Sequence, residues 1–88
     1  MDVIGAVVRA RRSELGISQE TLAERARLDR TYVSSIERGK RNPTLQALAC
    51  LAVGLQLPRG ELLAAIVDAM TEQNPWFARA VERGTMED

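Results

Sequence analysis

Residues 18–43 read SQETLAERARLDRTYVSSIERGKRNP, and the fold is decided here. Ser18 stands ahead of Gln19-Glu20-Thr21-Leu22, where its hydroxyl can accept from the free N–H groups of a helix start. Leu22, Ala23 and Ala26 then keep an i, i+1, i+4 rhythm on one face. After Arg27-Leu28, Asp29 is a second cap. It opens a helix from Arg30 to about Arg38, with Val33 and Ile36 turned inward and Gly39 closing it. Two short helices, each separately capped, thus meet through a tight turn, and Ala23 is small where they approach most closely.

Helical signals continue on both sides. Ile4, Val7, Val8 and Leu15 share a face upstream, with Gly16 as the stop. Downstream of the polar loop Lys40-Arg41-Asn42-Pro43, Thr44 caps a fourth helix whose stripe is Leu45, Leu48, Ala49 and Ala52, with Gly54 as its stop. Pro58 suits the first turn of a fifth helix, where a missing N–H costs nothing. That helix runs to about Met70 and carries Leu62, Leu63, Ile66 and Val67. Asn74-Pro75 starts a sixth, short segment with Trp76, Phe77, Ala80 and Val81, and Gly84 beyond it. There is no repeat and no β-alternation, so the chain reads as all-α.

Composition narrows the function. Eighty-eight residues suffice for one core, built from Leu, Ile, Val and Ala because the aromatics are limited to Tyr32, Trp76 and Phe77. No run approaches the roughly 20 apolar residues that span a bilayer. The apolar run at residues 3–8 is too short for a secretion signal, and Arg9, Arg11 and Arg12 follow it instead of preceding it. Cys50 is the single cysteine, so a cytoplasmic protein without disulfides is expected. Histidine is absent, which removes the commonest general base and metal ligand and leaves Cys50 without a nucleophile's partner. Neither an enzyme nor a cofactor or metal site is expected. Residues 1–60 hold ten Lys/Arg and six Asp/Glu, a net +4, whereas residues 61–88 hold two and six, a net −4. A basic front and an acidic tail suit a nucleic-acid surface on one side of the molecule.

The segments SQETLA (18–23), RTYVSSIERGKRNP (30–43) and TLQALACLAVGL (44–55) resemble the Cro/C1-type, or XRE, family of helix-turn-helix regulators. The second is especially similar to restriction–modification controller proteins and small phage or plasmid repressors. The resemblance covers residues 3–70 and implies a five-helix, lambda-repressor-like DNA-binding domain over 1–70, with residues 71–88 as a short helical extension. It also implies double-stranded DNA as partner and a homodimer assembled near the fifth helix. One departure is Arg27, where the family often has glycine.

Position assigns roles within this frame. Arg30, Thr31, Ser34 and Ser35 lie opposite Val33 and Ile36, and the start of such a helix faces base edges. Arg30 is the candidate for bidentate readout of guanine, and its cation at a helix N-terminus opposes the dipole, which argues for a use elsewhere. By resemblance Gln19 holds a DNA phosphate. Tyr32, Arg38, Lys40, Arg41 and Asn42 flank the reading face as backbone contacts, the alternative being a solvated basic loop. By resemblance too, Arg12 and Glu37 form an ion pair joining the first helix to the third. Cys50 reads as a small buried hydrophobe.

Leu63, Ile66, Val67 and Met70 make an i, i+3, i+4, i+7 row wider than so small a core needs, a candidate dimer surface. Trp76 and Phe77 either widen that interface or fold back on their own subunit. A homodimeric repressor or autoregulator is the leading expectation. An antitoxin, or a module that captures a protein through the C-terminal extension, is the alternative that the acidic tail would serve.

Overall fold

Each of the first four helices begins on a side-chain cap and ends on the same kind of turn. In the computed structural model, which describes residues 2–58, 60–76, 79 and 82, these are α1 (Val3–Glu14), α2 (Gln19–Ala26), α3 (Arg30–Glu37) and α4 (Leu45–Gly54). A fifth, α5 (Glu61–Gln73), follows, and no strand occurs among the described residues. The expected all-α, five-helix architecture is the one adopted. Asp2, Ser18, Asp29 and Thr44 accept from the backbone N–H of Gly5, Thr21, Thr31 and Ala47 at 3.1, 3.0, 2.7 and 3.0 Å.

At the other ends the chain turns left-handed at Gly16, Arg27, Gly39 and Gln56, with φ of 67°, 56°, 74° and 58°. The N–H of the following residue reaches back each time, from Ile17 to Arg12 O, Leu28 to Ala23 O, Lys40 to Ser35 O and Leu57 to Ala52 O. This Schellman closure satisfies carbonyls that a helix end leaves free. It also swings Ile17, Leu28 and Leu57 onto the core. Glycine adopts this conformation without steric cost, and Arg27 does not. Arg27→Gly should therefore raise the unfolding free energy by about 1 kcal/mol, read from urea denaturation. An unchanged or lower value would show that the exposed arginine makes up for its strained backbone.

Val8, Leu22, Val33, Ile36, Leu51 and Leu55 are wholly buried, and Leu62 and Ile66 join them from α5. α2 lies between α3 and α4, while α1 packs against α3 and α5. The inward residues expected for α2 and α3 (Leu22, Ala23, Ala26, Val33, Ile36) are all buried.

The fourth helix departs from expectation. Its buried residues are Ala47, Leu51, Ala52 and Gly54, whereas Leu45 is 76% exposed and Ala49 is exposed. LQALACLAVG is apolar on nearly every side, so periodicity does not select a face and packing against α2 does. Gly54 is not the stop. It is the last helical residue, and a methyl group there would sit 2.8 Å from Leu22 Cδ1 and 3.2 Å from Ala26 Cβ. Pro58 lies ahead of the fifth helix: Glu61 N–H donates to Pro58 O at 3.1 Å, and Gly60 caps α5 without a side-chain bond.

Two corrections concern α5. Leu62 and Ile66 point into the monomer core, so Ile66 is not available to a dimer surface. α5 also continues unbroken past residue 70 to Gln73. In the expected sixth segment Pro75, Trp76, Arg79 and Glu82 are helical, while Phe77, Ala80, Val81 and Gly84 lie outside the described residues.

Candidate nucleic-acid interface

Burial of Val33 and Ile36 turns the opposite side of α3 to solvent. Arg30 and Thr31, in its first turn, are exposed, and Ser34 and Ser35 further along are half-buried. Arg38, Lys40, Arg41 and Asn42 continue the exposed surface beyond the helix. Asp29 stands at the start of this face. Thr31 holds its carboxyl below the usual carboxylate range, first through its side chain and then through its backbone N–H, and Arg30 adds to the effect. The cap is therefore ionised near neutral pH.

The basic groups are partly fixed before any ligand arrives. The Arg41 guanidinium lies 5.0 Å over the Tyr32 ring, a cation–π distance. The Tyr32 hydroxyl in turn accepts from Thr44 N–H at 3.4 Å, tying α3 to the start of α4. Arg38 Nε, just past the end of α3, donates back to Ser34 O at 3.4 Å.

Behind this face lies a polar knot. Arg12 donates twice to Glu37, from Nε to Oε2 at 2.7 Å and from Nη2 to Oε1 at 2.9 Å. Its third bond, from Nη1 to Ile17 O at 2.8 Å, holds the turn between α1 and α2. Gln19 Nε2 donates to the same Glu37 Oε1 at 3.0 Å. The Glu37 side chain is 2% exposed and that of Arg12 16%. Bonding to Glu37 raises the Arg12 guanidinium above even its ordinary basicity, against the effect of burial. The helices also touch directly here: a methyl group at Gly5 would collide with Ile36 O and Glu37 O. α1 therefore abuts the C-terminal end of α3 with nothing between.

Several of these contacts have no signal in the sequence. Gln19 and Glu37 are 18 residues apart, and no local pattern pairs them. The stacking of Arg41 on Tyr32 depends likewise on the path of the loop after Gly39. Away from the basic face, Leu45, Leu48, Ala49, Ala52, Gly60, Leu62 and Leu63 line an apolar groove between α4 and α5. Of the expected dimer row, Leu63 is 48% and Met70 38% exposed, and Val67 is half-buried. Trp76 is 44% exposed. Cys50 is half-buried against the core. Among the described residues no helix is long and apolar enough to cross a membrane.

A braced second helix that presents its outer side beside a basic loop defines a helix-turn-helix DNA-binding protein. The family model described as helix-turn-helix matches residues 8–69, and the chain belongs to this XRE-type family of transcriptional regulators. It is 32% identical over 83 residues to the transcriptional regulator ClgR of Mycobacterium tuberculosis, covering 94% of this chain and 73% of that one. With the control protein C.MunI of a Mycoplasma species it shares 45% identity over 56 residues, 64% of this chain and 76% of the relative. Its fold is similar to that of the restriction-modification controller protein C.Esp1396I, with a TM-score of 0.71 and 33% identity over 78% of this chain and 88% of that one. The same controller has been solved bound to a 19 base pair DNA duplex.

Proposed function

We propose that the chain is a cytoplasmic, sequence-specific DNA-binding regulator that acts as a homodimer on a palindromic operator, as a repressor or autoregulator. The observation that carries this is the first turn of α3, where Arg30 and Thr31 are exposed above a buried Val33 and Ile36 and beside a basic loop. Arg30, Thr31, Ser34 and Ser35 are the base-reading set, and Gln19, Tyr32, Arg38, Lys40, Arg41 and Asn42 the phosphate set. The DNA-bound form of C.Esp1396I supports the reading. Selection of bound duplexes from a random pool tests it and supplies the half-site. On the selected duplex, Arg30→Ala should cost about 1–3 kcal/mol and relax preference at one guanine per half-site. Lys40→Ala should weaken selected and random DNA alike and flatten the salt dependence. Identical behaviour of the two variants would sink the division between reading and positioning residues.

One recognition helix reads too few base pairs to single out a genomic site. Two copies about a two-fold axis, with half-site centres about 34 Å apart, remove that shortfall. Leu63, Val67 and Met70 on α5, beside the groove against α4, are the proposed contact, and Trp76 and Phe77 are proposed as further members of it. Leu63 is the residue to test, because its half-exposed side chain is not part of the monomer core as Ile66 is. Leu63→Glu should keep its helicity yet sediment as a monomer and lose cooperative DNA binding, since a charge in an interface must be desolvated without a partner. Wild-type protein that stays monomeric at high concentration and fills half-sites independently would remove the dimer.

A further inference from the structure

We infer that Glu37, besides pairing with Arg12, is a positioning residue for DNA contact that holds the Gln19 amide in one orientation at the start of α2. This rests on the DNA-binding reading above. An ionised carboxylate only accepts hydrogen bonds, so it is the Nε2 side of the Gln19 amide that must face Glu37 Oε1, 3.0 Å away. The bond is not needed to satisfy the buried charge, because Arg12 already supplies two donors to it. What it adds is order. Gln19 is the first residue of α2 and is half-exposed, and backbone N–H groups of a first helical turn favour an anion. The second Nε2 hydrogen has no partner among the described residues and is left for the same anion, a phosphate of the duplex. A long side chain immobilised in advance loses less freedom on binding. That advantage is worth roughly two- to tenfold in affinity per half-site.

The test is a double-mutant cycle on the full chain, using a duplex selected by the wild-type protein. Glu37→Asp draws the carboxylate back by one methylene. It should weaken binding roughly two- to tenfold in the wild-type background and clearly less in the Gln19→Ala background, because the part of its effect that passes through Gln19 is already gone. Equal losses in both backgrounds would assign Glu37 a purely structural role and overturn the inference. Thermal melts of all four proteins identify any variant that is not folded at the assay temperature. A second measurement needs no substitution. In the free wild-type protein the side-chain amide NMR signals of Gln19 should be well separated and rigid, unlike those of the exposed Gln46 and Gln56. Gln19 signals matching those two overturn the inference whatever the binding data show. A wild-type protein that selects no duplex removes the DNA reading and the positioning role with it, and the amide signals then report the hold on Gln19 alone.

Discussion

Arg12→Ala should lower the unfolding free energy by about 3–5 kcal/mol, the cost of leaving one member of a buried ion pair behind. Glu37 is 2% exposed on its side chain and cannot turn to water. Without Arg12 it keeps a single donor, Gln19, and Ile17 O loses its partner as well. Small domains are held by only about 5–15 kcal/mol in all, so the variant should melt far below wild type. DNA affinity should fall although Arg12 itself touches no base, because α1 and α3 are joined through it. A companion variant separates charge from packing. Replacing both Arg12 and Glu37 by methionine removes the stranded charge and should recover much of the lost stability. An Arg12→Ala protein with unchanged melting temperature and DNA affinity would refute the bracing role.

Leu22→Ala should cost about 2–5 kcal/mol, because Leu22 is wholly buried where α2 meets α4 and neighbouring helices close over a void only in part. Gly54 makes the expectation sharper. Gly54→Ala alone places a methyl group 2.8 Å from Leu22 Cδ1, in a core where that side chain has no free space, and should cost about 1–3 kcal/mol. In the Leu22→Ala background the same methyl group enters the vacated volume. The second substitution should then be far milder, the remaining obstacles being Ala26 Cβ and Ala26 N, each at 3.2 Å. The two effects should not add. Strict additivity in urea titrations of the four proteins would mean that the two residues do not share one contact.

What was legible in the sequence was local. Ser18, Asp29 and Thr44 announce their helices because a cap bonds to a residue two or three positions on. Val33 and Ile36 stand out because α3 is polar on its other side. α4 offers no such contrast, and its buried face is chosen by α2, which lies far away in sequence. Ile66 was misjudged for a related reason: an apolar row on α5 does not say which part of it a monomer will bury. The bond from Gln19 to Glu37 joins helices whose relative placement no local pattern encodes. Arg27 shows the opposite case, a residue unsuited to its backbone but carried by the closure around it, since Leu28 still reaches Ala23 O at 2.9 Å.

The side of α3 that faces solvent contributes almost nothing to the interior. Arg30 and Thr31 are exposed, and although the Thr31 side chain also helps to hold the Asp29 carboxylate ionised, the cap bond at 2.7 Å comes from its backbone N–H, which any residue except proline supplies. On the reading proposed above, target preference and folding are written in different side chains of one eight-residue helix. With Arg30 and Thr31 as the proposed readers, a lineage carrying this scaffold would drift to new operators by single substitutions at these two positions while its fold stays where it is. Two such proteins in one cell can diverge in what they control long before they diverge in shape.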